Sequence, residues 1–178
     1  VADIGSDKYL GVGLSKGIRI AEGEGSNAGK PIYSPMIVVD VKKTAFHVDD
    51  QPLVDKMRSM FRGCNPQFFA SQNQRVSREL ANLQVITTYG KKERVITIGH
   101  ITKSVARDLT FKDDKGQNIK IVDYFKKKYG VAVDGNFPCV VDKYDSHIVI
   151  PASQLKVAPS QRVKKDQGGP QMAEQMIR

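Results

Sequence analysis

The chain has 178 residues, enough for one large domain or for one domain with an appended layer. Its 28 Lys and Arg against 19 Asp and Glu give a formal net charge of +9, a balance that favours nucleic acid or an anionic membrane surface as partner. No apolar run approaches the roughly 20 residues that span a bilayer, and three scattered histidines with two distant cysteines offer no metal-ligand spacing, so membrane-spanning and metal-centred functions are set aside.

The first residues, VADIGSDKYL, are no signal peptide and lack Met, as expected of a piece of something longer. Residues 1 to 30 are rich in Gly, Ser and acids; GIRIAEG reads as a short exposed strand and GEGSNAGK as its turn. MIVVDV, nearly continuous in β-branched residues, predicts a strong strand. DDQPLVDKMRSMF predicts a helix with Asp49 or Asp50 as N-cap, Pro52 in the first turn, and Leu53, Met57 and Met60 or Phe61 on one face; Gly63 ends it. NPQFFASQ reads as a connection and SRELANL as a short helix.

LQVITTY and ERVITIGHI alternate apolar and polar residues around GKK and predict a strand pair. LTFKDD follows as a third strand, then a D-K-G turn, then a helix from about Ile121 to Tyr129 with Gly130 placed for a left-handed C-terminal cap. VAVDGNFPCVVD and SHIVIPASQLKV supply two or three further short strands, and the tail QRVKKDQGGPQMAEQMIR is too polar to own a core. Short strands with brief helices between them suggest a small twisted β-barrel with an αβ insert.

Three groups of residues invite chemistry. In VDYFKKKYG, helical spacing puts Phe125 and Tyr129 on one face with Val122, and Tyr124 with Lys128 on a neighbouring stripe. Tyr124 and Tyr129 stand about 140° apart at ~100° per residue, so spacing alone does not pair them. A solvated lysine face over core aromatics, which composition favours, and a basic stacking platform both fit. Lys91 and Lys92 at a hairpin tip serve solubility, whereas Arg94 inside a strand needs a partner, either a neighbouring carboxylate or a ligand. No nucleophile elbow, phosphate loop, zinc-protease motif or spaced carboxylate pair argues for an enzyme. His100 and His147, in apolar strand contexts, read as satisfied structural histidines, and Cys64 and Cys139 as reduced, buried thiols of a cytosolic or nuclear protein.

The order of these elements carries a resemblance. LQVITTYGKKERVITIGHITKSVARDLTF, then VDYFKKKYGVAVDGNFPCVV, then IVIPASQLKVAPSQRVKK resembles the PAZ domain of Argonaute proteins, in its Y-F-x-x-K-Y helix, x-P-C strand, strand-borne Pro and closing Q-R. YLGVGLSKGI and PIYSPMIVVDVKKTAFHVDDQPLVDKM resemble the family's first linker region, and the tail looks like the start of the second; the divergence is similar to that of a nematode-specific branch. The resemblance implies residues 1–63 as first linker, 64–160 as PAZ domain and 161–178 as the second linker's beginning. It implies an α+β fold: a small twisted OB-like β-barrel with an αβ insert, plus an N-terminal layer of strands and a helix.

The function it implies is anchoring the 3′ end of a single-stranded small guide RNA for gene silencing, with the remaining domains of a parent Argonaute as partners. No membrane and no cofactor are implied, the fragment is expected to be monomeric, and the expected compartment is the cytoplasm, with the nucleus or perinuclear granules as alternatives. Guide-directed cleavage belongs to a separate domain of the family, so no catalysis is expected of these residues. The resemblance places Phe111, Tyr124 and Tyr129 as cleft aromatics and Lys128 and Arg94 as backbone contacts. Tyr89 stands where relatives often carry His, and Ile150 before Pro151 forms the wall under the terminal sugar. It also shows gaps: Ile96 replaces a phosphate-binding tyrosine, and Ser146 and Val149 stand where Lys and Tyr are usual, with Lys143 or Tyr144 as auxiliary ligands from the adjacent loop. A single-strand binder indifferent to ends, and a degenerate PAZ domain acting as scaffold, are the competing readings.

Overall fold

Alternation along the first third of the chain builds a long two-stranded ribbon. The computed structural model describes residues 2–3, 7–27 and 30–164. Strand β2 (Lys8–Asn27) pairs antiparallel with β3 (Lys30–His47) from Lys8 opposite His47 to Asn27 opposite Lys30, and β1 (Ala2–Asp3) adds at its base. Residues opposite each other share a face. One face therefore carries Val12, Leu14, Ile18 and Ile20 with Ile37, Val39 and Val41, every one more than half exposed. The other carries Gly11, Gly13, Ser15 and Gly17. The short strand expected at GIRIAEG is thus 20 residues long. Its glycines are poor strand formers alone, but the β-branched run opposite them supplies the pairing. Of the expected turn GEGSNAGK, residues 23–27 and Lys30 belong to the two paired strands instead, and positions 28–29 lie outside the described residues.

The ribbon is tied down at its base. Leu10 and Ala45 continue the apolar face into buried packing. Beside them the fully buried Lys56 donates from Nζ to the Asp7 carbonyl oxygen (3.1 Å) and carboxylate (3.4 Å), and Lys8 reaches the same carboxylate at 3.1 Å. Burial works against the charged Asp7, but Lys56 and Lys8 outweigh it and hold its pKa below the ordinary value. Burial pulls Lys56 down to about 8 and His47, whose buried Nδ1 has no hydrogen-bond partner among the described residues, down to about 4.

Three helices follow. In α1 (Leu53–Met60) the 3–4 spacing of Leu53, Met57 and the following Phe61 puts all three in the core. The cap differs from expectation: Pro52 holds the N-cap, with no side-chain bond. Asp49 instead accepts from the Ser160 amide at 2.8 Å, and Asp50, at φ 54°, ion-pairs with Lys156. The expected connection NPQFFASQ is a helix, α2 (Pro66–Ser71), because Asn65 accepts from the Phe68 amide at 2.7 Å, Pro66 opens the first turn, and Phe69 gains a fully buried site. Helix α3 (Asn73–Leu80) begins upstream of its expected start.

The domain's sheet has the order β10–β4–β5–β8–β9, antiparallel throughout: β4 (Gln84–Thr87), β5 (Val95–Val105), β8 (Pro138–Asp142), β9 (Val149–Pro151) and β10 (Leu155–Val157). Among the described residues its pairing is open, not closed into a barrel. Strand β5 gives its first residues to β4 and the rest to β8, with register shifts after Ile98 and Ile101 that bend it. Where β4 ends, α3 takes over: Asn73 Nδ2 donates to the Ile101 carbonyl (3.0 Å) and Ser77 Oγ accepts from its amide (3.1 Å). The core joins Leu53, Met57 and Phe69 to Val85, Ile98, Ile101, Leu155 and Val157. Gln161, in the expected closing Q-R pair, clamps β4 by accepting from the Gln84 amide and donating to its carbonyl.

The αβ insert follows β5. β6 (Thr110–Lys112) and β7 (Asn118–Lys120), the latter read in the sequence as part of the turn-to-helix passage, form a hairpin whose turn is tied by Asp113 to the amides of Lys115 and Gln117. α4 (Ile121–Tyr129) continues directly from β7 and ends at Gly130, φ 67°. Among the described residues no helix is long and apolar enough to cross a membrane.

Candidate nucleic-acid interface

Ile121 and Phe125, one turn apart, are buried and fix one face of α4 against the sheet. That contact holds the insert as a flap over β5 and β9, and between flap and sheet lies a cleft of about 390 Å³. The insert contributes Leu109, Thr110, Phe111, Tyr124 and Tyr129; the sheet side contributes Tyr89, Arg94, Thr102 and the run His147–Ile150.

Aromatic rings dominate its wall and brace one another edge to face, a favoured ring geometry. Phe111 meets Tyr124 at 4.8 Å between centroids, Tyr89 meets Tyr129 at 4.7 Å and Phe125 at 4.9 Å, and Tyr124 lies 6.2 Å from Tyr129. The two tyrosines that helical spacing sets far apart thus come together, because Tyr89 and Phe125 fill the angle between them. Lys128 Nζ donates to the Tyr124 hydroxyl at 2.5 Å and stands 5.0 Å over that ring and 5.6 Å from the centre of Tyr129. The bond to Tyr124 pushes the Lys128 pKa up, and burial with Tyr129 beside it raises Tyr89 to about 12. At neutral pH the cleft therefore presents the Lys128 ammonium and the protonated Tyr89 phenol. With the Tyr124 oxygen accepting from Lys128, its own O–H is left to donate outward, a pairing suited to a phosphate oxygen.

The structure brings Tyr89, Arg94, Phe111, Tyr124, Tyr129 and Ile150 to one cavity, with Lys128 at its rim. Pro151 is buried behind Ile150 and supports the wall without lining it. Arg94 lies just before β5 rather than inside a strand, and is exposed. Lys143 and Tyr144 do not reach the cleft: Lys143 Nζ donates to Asn82 at 2.6 Å and Tyr144 stands 79% exposed, because the turn after β8 is pulled the other way by the Asp142 carboxylate, which accepts the amides of Tyr144 and Asp145. Ile96 is buried in the core and offers the cleft nothing, whereas Val149 lines it as an apolar patch.

His100 and His147 are exposed rather than buried; His147 sits at the cleft mouth. Cys139 is buried and Cys64 half-buried, both free. Leu109 and Thr110 carry no sequence signal as wall residues, since Leu109 ends the passage from β5 into the insert and Thr110 opens β6. Thr102 lines the cavity with its hydroxyl already engaged, accepting from the Cys139 amide and donating to the Ser104 carbonyl. Among the described residues no group of three His, Cys, Asp or Glu is placed to hold a metal ion.

The family model of the PAZ domain matches residues 54–176. The Argonaute protein wago-4 of Caenorhabditis elegans is 28% identical over 93% of this chain and 18% of its own length. Protein argonaute 7 of Oryza sativa subsp. japonica is 24% identical over 57% of the chain and 10% of its own length. The chain thus spans less than a fifth of these relatives. The crystal structure of Kluyveromyces polysporus Argonaute with a guide RNA shares the fold at a TM-score of 0.61 and 16% identity, covering 96% of this chain and 20% of that one.

Proposed function

The chain belongs to the PAZ domain family, and from that premise we propose that its cleft holds the 3′ end of a single-stranded small guide RNA within an Argonaute, for RNA-mediated silencing. The observation that carries the reading is the convergence of Tyr89, Phe111, Tyr124 and Tyr129 on one cavity with Lys128 and Arg94 at hand. A splayed terminal base can enter among the rings, where stacking contributes about 1–3 kcal/mol per base. The Lys128 ammonium and the Tyr124 hydroxyl meet a terminal phosphodiester, Arg94 a second, and the apolar run Ile148–Ile150 packs against the last ribose. A cavity of about 390 Å³ takes roughly one or two nucleotides and not a continuing strand. That size is what turns stacking into recognition of an end.

Three ligands expected from the family are absent, since Ile96 is in the core, Val149 is apolar and Ser146 lies outside the cleft lining. Each missing contact lowers affinity by about 1 kcal/mol, so the end is held more weakly than in a fully equipped relative. The ribbon β2–β3 serves in this reading as the first linker (1–63), the domain proper runs over 64–160, and residues 161–178 begin the second linker. The ribbon's uncovered apolar face fits packing against the remaining domains of a longer Argonaute.

The test is an NMR titration of the chain with a short single-stranded RNA. Shifts concentrated on Tyr89, Phe111, Tyr124, Lys128 and Tyr129 are expected. Perturbations spread over the basic surface with the cleft silent would favour general single-strand binding, and no perturbation at all would favour a scaffold.

A further inference from the structure

The cleft is not the largest depression of the domain. Behind the sheet, where α2 gives way to α3, residues 70–75 with Arg78 and Lys103 enclose a groove of about 660 Å³. Thr102 lines the cleft and its neighbour Lys103 lines this groove, and adjacent residues of a strand point to opposite faces. One strand, β5, therefore separates the two depressions.

The groove's chemistry is one-sided. Arg75 and Arg78 stand one turn apart on α3, and Lys103 joins them from β5. Gln72 and Gln74 supply amide groups, while the Ser71 hydroxyl already donates to the Phe68 carbonyl at 3.2 Å, and among the described residues no carboxylate lines the site. Among the described residues none of the three cations is held in an ion pair. The Arg75 guanidinium, 5.9 Å from the centre of the Phe61 ring, is steered by an aromatic face and keeps its donors for another ligand. Among the described residues no aromatic side chain lines the groove, so they offer it no stacking platform.

We propose that this groove is a second nucleic-acid site, which takes the phosphodiester backbone of an RNA strand without regard to sequence or end. Three cations without an ion pair among the described residues, with a rim of amide donors, fit a run of phosphates, and two arginines give each phosphate a bidentate option. The site is separate from the cleft, lying on the other face of β5 and sharing no lining residue with it, and only the short-RNA arm of its test rests on the 3′-end reading.

The experiment compares a 5-nucleotide and a 20-nucleotide oligouridylate, each titrated at several salt concentrations. The triple variant Arg75→Gln, Arg78→Gln, Lys103→Gln should lose roughly tenfold in affinity for the 20-mer at low salt. Its slope of log K against log salt should become shallower by about 2, near 0.7 for each of three lost phosphate contacts. Affinity for the 5-mer, which fills only the cleft, should not change. A second variant, Arg75→Lys with Arg78→Lys, keeps the charge and should keep the slope. The variant Lys16→Gln, Arg19→Gln, Lys42→Gln, which removes the same charge from the exposed ribbon, should leave both RNAs nearly unaffected. An unchanged 20-mer affinity and slope in a triple variant that melts as the parent does would overturn the proposal. So would an equal loss in the ribbon variant, which would reduce the effect to net charge, and so would an equal loss for the 5-mer.

Discussion

Tyr124 and Lys128 stand one turn apart on α4, and the bond between them decides what each can do. The ammonium gives one hydrogen to the phenol oxygen and keeps two, while the phenol keeps its proton to donate. Replacing Tyr124 by Phe removes the hydroxyl and keeps the ring; the expected cost is about 1 kcal/mol of RNA affinity. Tyr124→Ala removes both and should cost about 1–3 kcal/mol of RNA affinity, with a melting temperature lower by a few degrees because the half-buried ring also packs on Phe111, Phe125 and Tyr129. Fluorescence anisotropy with a short labelled RNA separates the two. Residues of this kind were legible only through resemblance: spacing set Tyr124 and Tyr129 apart, and it takes Tyr89, some 35 residues upstream, to join them.

Lys56 was less legible still. It reads as an ordinary polar position of an amphipathic helix, and only the approach of Asp7, 49 residues away, makes its full burial tolerable. The same cluster sets a pH dependence. Folded His47 has its pKa near 4 against 6.5 for the ordinary group, so between those values the unfolded chain binds more protons than the folded one. Stability is therefore full above about pH 6.5 and falls as pH drops through this window. Thermal melts from pH 7 to 4 should show the decline, and His47→Gln should flatten it; a parent curve flat over this range would contradict the assignment.

At the scale of elements, helices whose signals are local could be read directly. α4 begins and ends where its apolar spacing and Gly130 put it, and α1 buries the face its periodicity marks. α2 could not be read as easily, because six residues show less than two helical turns and Phe68 and Phe69 suit a connection equally well. β5 reads as a strand, but its change of partner midway depends on register shifts that have no local signature. The cleft depends on that bend and on α4 being held to its last turn. Gly130 sits at φ 67° with open space around it, so Gly130→Ala meets backbone strain alone, about 1 kcal/mol. Tyr129 and Lys128 lie on the turn it caps. The substitution should lower the melting temperature by a few degrees and weaken RNA binding together, whereas Asn65→Ala, at the N-cap of the distant α2, should cost about 1 kcal/mol of stability and leave RNA binding as it was. Paired melts and RNA titrations of both variants test the distinction.

For the whole molecule, charge and apolar surface point to two kinds of contact. The net charge of +9 supports a polyanion partner, and the ribbon's uncovered apolar face supports packing within a larger protein. Ile18→Thr with Ile37→Thr, an exposed cross-strand pair, should reduce binding of a fluorescent apolar dye to the isolated chain without changing RNA affinity. The charge was plain from composition, but the ribbon's length was not, since its apolar face emerges only when two weakly patterned strands are placed in register. The central claim remains that the cleft recognises an end. The most direct measurement is the affinity of one short RNA with a free 3′ hydroxyl against the same RNA carrying a 3′ phosphate. Recognition of the end predicts at least tenfold weaker binding of the blocked strand, lost again in Tyr124→Ala; equal affinity for the two strands would contradict it.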